Sequence, residues 1–189
     1  MESKIYLLKD KCDYVKRVTN DKDIINVTGS VGSGKSTYGR KYRDNKDYIV
    51  IGIDSLIYDK DPYTINDEVL ELKEILNKKY GEEKLNVNEY YDDIVKYIRS
   101  KNKKGIIEGG QLLDIDELSI LKGEVIVKRT ARLKCYYRSA YRDFKNPAWR
   151  VGLNKLGLIK RFFHCFKRRF RHVFRQKHIE DFINKLEKL

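Results

Sequence analysis

The eight residues Gly29-Ser30-Val31-Gly32-Ser33-Gly34-Lys35-Ser36 have the types and the spacing that a loop needs to wrap a phosphate group. Glycine is required where successive backbone N–H groups turn inward on an anion, because a side chain would obstruct both the torsions and the approach. Gly29, Gly32 and Gly34 supply that freedom. Lys35 then stands where an ammonium bridges β- and γ-phosphate oxygens, and Ser36 where a hydroxyl ligates Mg²⁺. Ser33 and Thr37 fall in the same contact stretch. The chemistry expected of the segment is binding of ATP, or another nucleoside triphosphate, together with Mg²⁺.

Phosphate binding does not by itself say what is done with the phosphate, so carboxylates and arginines have to decide. Tyr48-Ile49-Val50-Ile51-Gly52-Ile53-Asp54 is an apolar run closing on Asp54, and Gly105-Ile106-Ile107-Glu108 closes on Glu108. In parallel α/β sheets ligands bind outside the carboxyl ends of the strands, where both acids are expected. Asp54 there can orient or deprotonate an acceptor hydroxyl, and Glu108 can hold the water shell of Mg²⁺ beside Ser36. Arg138 and Arg142, four residues apart, are expected to present both guanidinium groups on one helix face; Arg132 is a weaker candidate.

These residues need strands and helices to hold them. Asp23 to Thr28 is a β-branched run leading into the glycine loop, and Thr37 to Tyr42 continues as helix, the context that the loop requires. Helical periodicity recurs from Asn66 to Tyr80, with Thr64 as a candidate cap and Gly81 as a stop, and from about Asn88 to Ser100. Glu124 to Lys128 reads as a further strand, Ala131 to Arg142 as helix, a break falls at Asn146-Pro147, and Leu158 to about Leu189 is helical again. A weak helical pattern also runs through Tyr6, Leu7, Cys12, Tyr14, Val15 and Val18. The βα rhythm predicts an α/β fold with a parallel sheet of about five strands flanked by helices in three layers.

The glycine loop matches the Walker A pattern. With the strand ending at Asp54, the strand ending Ile106-Ile107-Glu108-Gly109 and the late arginine helix, the stretch from about Ile24 to Asp143 resembles adenylate-kinase-like P-loop kinases. The resemblance implies a P-loop NTPase fold, transfer of the γ-phosphate of ATP, and a lid helix carrying Arg138 and Arg142. Nucleoside monophosphate kinases have Asp-Gly where this chain has Glu108-Gly109, and Pro-Arg where it has Gly110-Gln111, so the acceptor stays unnamed. The double glycine is faintly similar to the substrate loop of shikimate kinases. A comparable basic, aromatic C-terminal helix occurs in small kinase-like proteins named for DNA topology modulation.

At 189 residues the chain is expected to form one domain over 1–189, with the lid and basic tail at about 131–189. Its net charge of +13 is concentrated: from Glu124 onward there are 19 Lys+Arg against 5 Asp+Glu, while the preceding residues hold 22 against 23. That asymmetry implies an anionic partner for the C-terminal part. A second function is therefore open, a nucleic-acid-binding P-loop ATPase or a polynucleotide 5′-kinase that uses the basic tail. Phe162, Phe166, Phe170 and Phe174 are expected to pack on the core, leaving Arg168, Arg171 and Arg175 toward solvent or the lid. Cys12, Cys135 and Cys165 read as free buried thiols, and neither they nor His164, His172 and His178 form a metal site. No apolar run reaches the ~20 residues of a membrane span, and a cytoplasmic location is expected.

Overall fold

The computed structural model describes residues 9–57, 66–81, 86–145, 157–175 and 178–189, without the side chains of 171–175 and 178. Thr64, the Asn146-Pro147 break, and the side chains of Arg171, His172, Phe174, Arg175 and His178 lie outside the described residues. Five strands, β1 (Tyr14–Arg17), β2 (Ile24–Gly29), β3 (Tyr48–Gly52), β4 (Lys104–Glu108) and β5 (Glu124–Lys128), form one sheet in the order β1-β5-β2-β4-β3. β2, β3, β4 and β5 pair in parallel, and β2 sits at the centre.

The sheet is mixed, not parallel throughout. β1 runs antiparallel to β5, with Tyr14 opposite Val127 and Arg17 opposite Glu124. A strand therefore replaces part of the helix expected before residue 20. Tyr14 and Lys16 are partly covered while Val15 and Arg17 face water, a period of two that four residues announce only faintly beside the longer helical pattern. Lys16 Nζ donates to the Leu186 carbonyl at 2.6 Å, which ties this edge to the C-terminal helix.

The helices α1 (Lys35–Arg40), α2 (Ile53–Ile57), α3 (Asp67–Tyr80), α4 (Val87–Ser100), α5 (Arg132–Lys145), α6 (Leu158–Arg175) and α7 (His178–Glu187) complete the chain, with short 3₁₀ turns at Gln111–Asp114 and Leu118–Ile120. Asn66 caps α3, its side chain accepting from the Val69 N–H at 2.9 Å. One sheet face packs Ile24, Ile49, Ile51 and Ile107 against α3, α4 and α7, and the other packs Val27, Val50 and Ile106 against Tyr38 and Tyr42 beside α1. Strands buried on both faces read as unbroken Val/Ile runs for this reason. Each fully buried Ile or Leu here stabilises by about 1.5–3 kcal/mol relative to exposure.

A polar staple crosses this core. The Tyr91 hydroxyl on α4 donates to Asn26 Oδ1 at 2.8 Å and accepts from the Lys122 N–H at 3.1 Å, while Asn26 Nδ2 donates to the Lys122 carbonyl at 2.7 Å. Burial pushes the Tyr91 phenol up to about 12. The Asn-Val-Thr sequence at 26–28 is thus interior backbone of β2, its Asn and Thr side chains wholly covered.

The helical stretch expected from Leu158 to about Leu189 is two helices with different partners. Ile179, Phe182, Ile183 and Leu186 of α7 join the main core, and Glu180 and Asp181 place negative charge in its first turn. α6 instead packs along α5. Its covered line is Cys165 and Arg169, and the buried Arg169 guanidinium donates twice to the buried Asp143 carboxylate, at 2.7 and 2.9 Å. Among the described side chains, Phe162, Phe166 and Phe170 do not enter the main core as expected. Phe166 and Phe170 meet Tyr136 edge to face at 5.6 and 5.8 Å, Phe162 meets Phe144 likewise at 5.8 Å, and Phe162 and Phe170 stay exposed. No helix among the described residues is long and apolar enough to cross a membrane.

Candidate functional site

The carboxyl ends of β2, β4 and β5 converge on the glycine loop. From the central strand β2 the chain turns toward β3 and β4 on one side while β5 lies on the other, a reversal that opens a crevice above the strand ends. Residues 30–34 fill it. Gly32 and Gly34 take φ of +80° and +97°, torsions costly for any side chain. At Gly32 space is closed as well, since a Cβ would lie 2.5 Å from the Cys135 carbonyl oxygen. At Gly34 nothing lies within 4 Å, so only the torsion selects glycine there.

Two bonds pin the loop. The Ser33 N–H donates to the Ser30 carbonyl at 3.1 Å, and the Thr130 hydroxyl, just past β5, donates to the Ser33 carbonyl at 2.8 Å. Thr28 Oγ1 donates to the Gly109 carbonyl at 2.9 Å, which locks the ends of β2 and β4 together. The buried Ser33 Oγ has no hydrogen-bond partner among the described residues. An orphaned hydroxyl inside a glycine loop is one that a ligand oxygen would satisfy.

The Lys35 side chain is buried and curls over the loop, donating to the Gly29 and Ser30 carbonyls at 3.1 Å each. Burial holds its ammonium below the usual lysine range; Glu108 and Asp54 pull the other way, and the Arg142 charge pushes it further down. Lys35, Glu108, Asp54 and Arg142 thus share one electrostatic neighbourhood. Arg138, exposed on α5, acts on Asp10, which sits below the usual carboxylate range chiefly through its hydrogen bond with Lys134, and, like Lys35, on the buried Cys135 thiol. Arg142 Nε also lies 3.9 Å from Asp143 Oδ1.

Ser36 and Glu108 come together as the spacing suggested. Ser36 Oγ donates to Glu108 Oε2 at 3.1 Å, and Glu108 is buried at the end of β4. One hydroxyl and one carboxylate suit Mg²⁺, which binds through few protein oxygens and keeps several waters. No group of three or more His, Cys, Asp or Glu side chains converges among the described residues. Thr37 is exposed, its hydroxyl accepting from Arg40 Nη2 at 3.3 Å. Helix α1 begins at Lys35, two residues earlier than the helix expected from Thr37, and spans six residues.

Asp54 lies beyond the strand expected to carry it. β3 stops at Gly52, and Asp54 is the exposed second residue of α2. It is held by a residue that sequence reasoning missed as functional: Gln111 Nε2 donates to Asp54 Oδ1 at 2.5 Å. Gln111 was visible in the sequence only as the residue standing where nucleoside monophosphate kinases have arginine. Thr130 and Thr28 were missed too, and their one signal was position next to a strand end. Cys135 and Cys165 are buried as expected, whereas Cys12 is exposed.

No protein-family model matches the chain, and no curated protein matches it.

Proposed function

We propose that the chain is a P-loop NTPase of the adenylate-kinase-like kind, an ATP-dependent phosphotransferase acting on a hydroxyl or phosphate of a small acceptor. The observation that carries this reading is the buried Lys35 wrapped over positive-φ glycines, with the Ser36–Glu108 pair beside it. Three glycines, a buried ammonium and an orphaned Ser33 hydroxyl form a cradle suited to phosphate oxygens. Mg²⁺ held by Ser36 and, through water, by Glu108 would neutralise charge on the β- and γ-phosphates.

The chain's own residues do the rest. When triphosphate enters, Lys35 exchanges two backbone carbonyls for phosphate oxygens, a change between hydrogen-bond partners of similar strength that keeps the ammonium satisfied throughout. Gln111 engages one Asp54 oxygen and orients the carboxylate toward the acceptor. Asp54 takes the acceptor hydroxyl's proton as that oxygen bonds to the γ-phosphorus and the β–γ bridging oxygen departs with its electron pair. Arg142, within electrostatic reach of Lys35, offsets negative charge spreading over the transferring oxygens.

The test is transfer of labelled γ-phosphate from ATP to a panel of nucleotides, nucleosides, small metabolites and 5′-hydroxyl oligonucleotides. At least one acceptor is expected to be labelled, with Asp54→Asn slowing transfer about 10²–10⁴-fold. Transfer untouched by Asp54→Asn would remove the assigned base, and labelling of oligonucleotides alone would shift the acceptor to polynucleotide ends.

A further inference from the structure

Helix α6 has more apolar surface than its contacts use. Its inward line, Cys165 and Arg169, is spent on α5. A second line, Ile159, Phe163, Phe166 and Phe170, follows at steps of four, three and four, which keeps these residues on one side of a helix. Most of that line faces water: Ile159 is 72% exposed, Phe163 67% and Phe170 53%, while Phe166 is half-buried against Tyr136. On α5, Tyr137 and Tyr141 continue the surface at 61% and 56%.

Charge borders the stripe on one side only. By helical angle Lys160 and Lys167 lie next to Ile159 and Phe163, with Arg168 beyond them, and all of α6 holds seven Lys or Arg and no Asp or Glu. Exposed apolar patches on soluble chains mark interaction surfaces, and a patch edged solely by cations selects an anionic partner. Two features favour lipid over nucleic acid. Leu158 and Ile159 have no π-face for a base to stack on. Tyr136 also meets Phe166 and Phe170 edge to face, at 81° and 87°, so in each pair one ring's face is covered by the other ring's edge.

We propose that the α5–α6 hairpin is a peripheral docking surface for an anionic membrane, with α6 lying in the interface plane. The Ile159–Phe163 stripe enters the headgroup–acyl boundary while Lys160, Lys167 and Arg168 meet lipid phosphates and carboxylates. The buried Asp143–Arg169 pair holds α6 on α5, so the stripe is presented already formed. This surface stands independently of the nucleotide reading.

Full-length protein is sedimented with phosphatidylcholine vesicles and with vesicles containing about 30% phosphatidylserine, at ~150 mM salt. Sedimentation is expected with the anionic vesicles and to be about tenfold weaker without phosphatidylserine. Ile159→Ser/Phe163→Ser and Lys160→Glu/Lys167→Glu are each expected to weaken it about tenfold. Lys41→Glu/Lys46→Glu, with the same charge change on the exposed segment after α1, is expected to alter it less than about twofold. Unchanged melting midpoints certify that the variants fold. Failure to sediment, or sedimentation indifferent to Ile159→Ser/Phe163→Ser, overturns the proposal. So does a mixed-sequence single-stranded RNA that binds the protein more tightly than the vesicles do and loses affinity on Phe163→Ser.

Discussion

The glycine loop and the α5–α6 hairpin are both suited to anions, and they are built in opposite ways. The loop holds one buried ammonium among backbone groups, with Gly29, Gly32 and Gly34 at positive φ and Lys35 already hydrogen-bonded. The hairpin has seven cations on α6 alone, interleaved with exposed rings, and one buried ion pair beneath. In the first, position does the selecting: a desolvated charge acts strongly, so few are needed and each must be satisfied. In the second, solvated charges are individually weak and count by number. Net charge therefore points to the hairpin and says almost nothing about the loop.

The sharpest way to separate the two regions is to break the hairpin's buried pair. Asp143→Ala leaves the Arg169 guanidinium uncompensated and is expected to cost about 3–5 kcal/mol in urea unfolding, with Asp143→Ala/Arg169→Met recovering part of it. Gly32→Ala attacks the loop instead. With φ at +80° and a Cβ 2.5 Å from the Cys135 carbonyl, it is expected to cost about 1–3 kcal/mol and to remove ATP binding in titration calorimetry. If Gly32→Ala binds ATP normally, specified backbone is not what the loop supplies.

Acid titrates the frame that both regions share. Burial raises the Asp21 carboxyl, but the hydrogen bond from Arg99 and the Asp23 N–H outweigh it and hold the group below the usual range. A carboxylate depressed in the fold stabilises fully above the ordinary aspartate value of about 4, and that contribution fades as pH falls through the lower folded value. Arg99 is largely solvated, so screening limits the effect. As pH falls below about 4, native protein is expected to lose stability that Asp21→Asn does not, by less than about 1 kcal/mol, measured by thermal melts. Smallest of all, Ile159→Ser on the exposed stripe is expected to change stability by less than about 0.5 kcal/mol, since it removes no buried contact.

What could be read in the sequence follows the same division. The glycine turn at Gly29 to Ser36 was legible because a strand, a glycine-rich turn and a helix are adjacent in sequence, and the strands ending near Asp54 and at Glu108 were legible because buried parallel strands read as apolar runs. The Gln111–Asp54 bond joins residues 57 apart and has no sequence signature. β1 was hidden because four residues of alternation lose to a longer helical period, and with it went the mixed character of the sheet. In the tail the period of four was right about a helix and wrong about its buried side. Cys165 and Arg169 take that side because Asp143 waits on α5, and a buried arginine is indistinguishable from a solvated one in so basic a stretch.

The central claim rests on Lys35, and titration calorimetry with Mg²⁺ and a non-hydrolysable ATP analogue tests it most directly. Native protein is expected to bind the analogue, more weakly when EDTA removes Mg²⁺, and Lys35→Ala to bind it at least about a hundredfold more weakly while melting as a folded protein. Lys35→Ala that binds the analogue as native protein does would contradict the account.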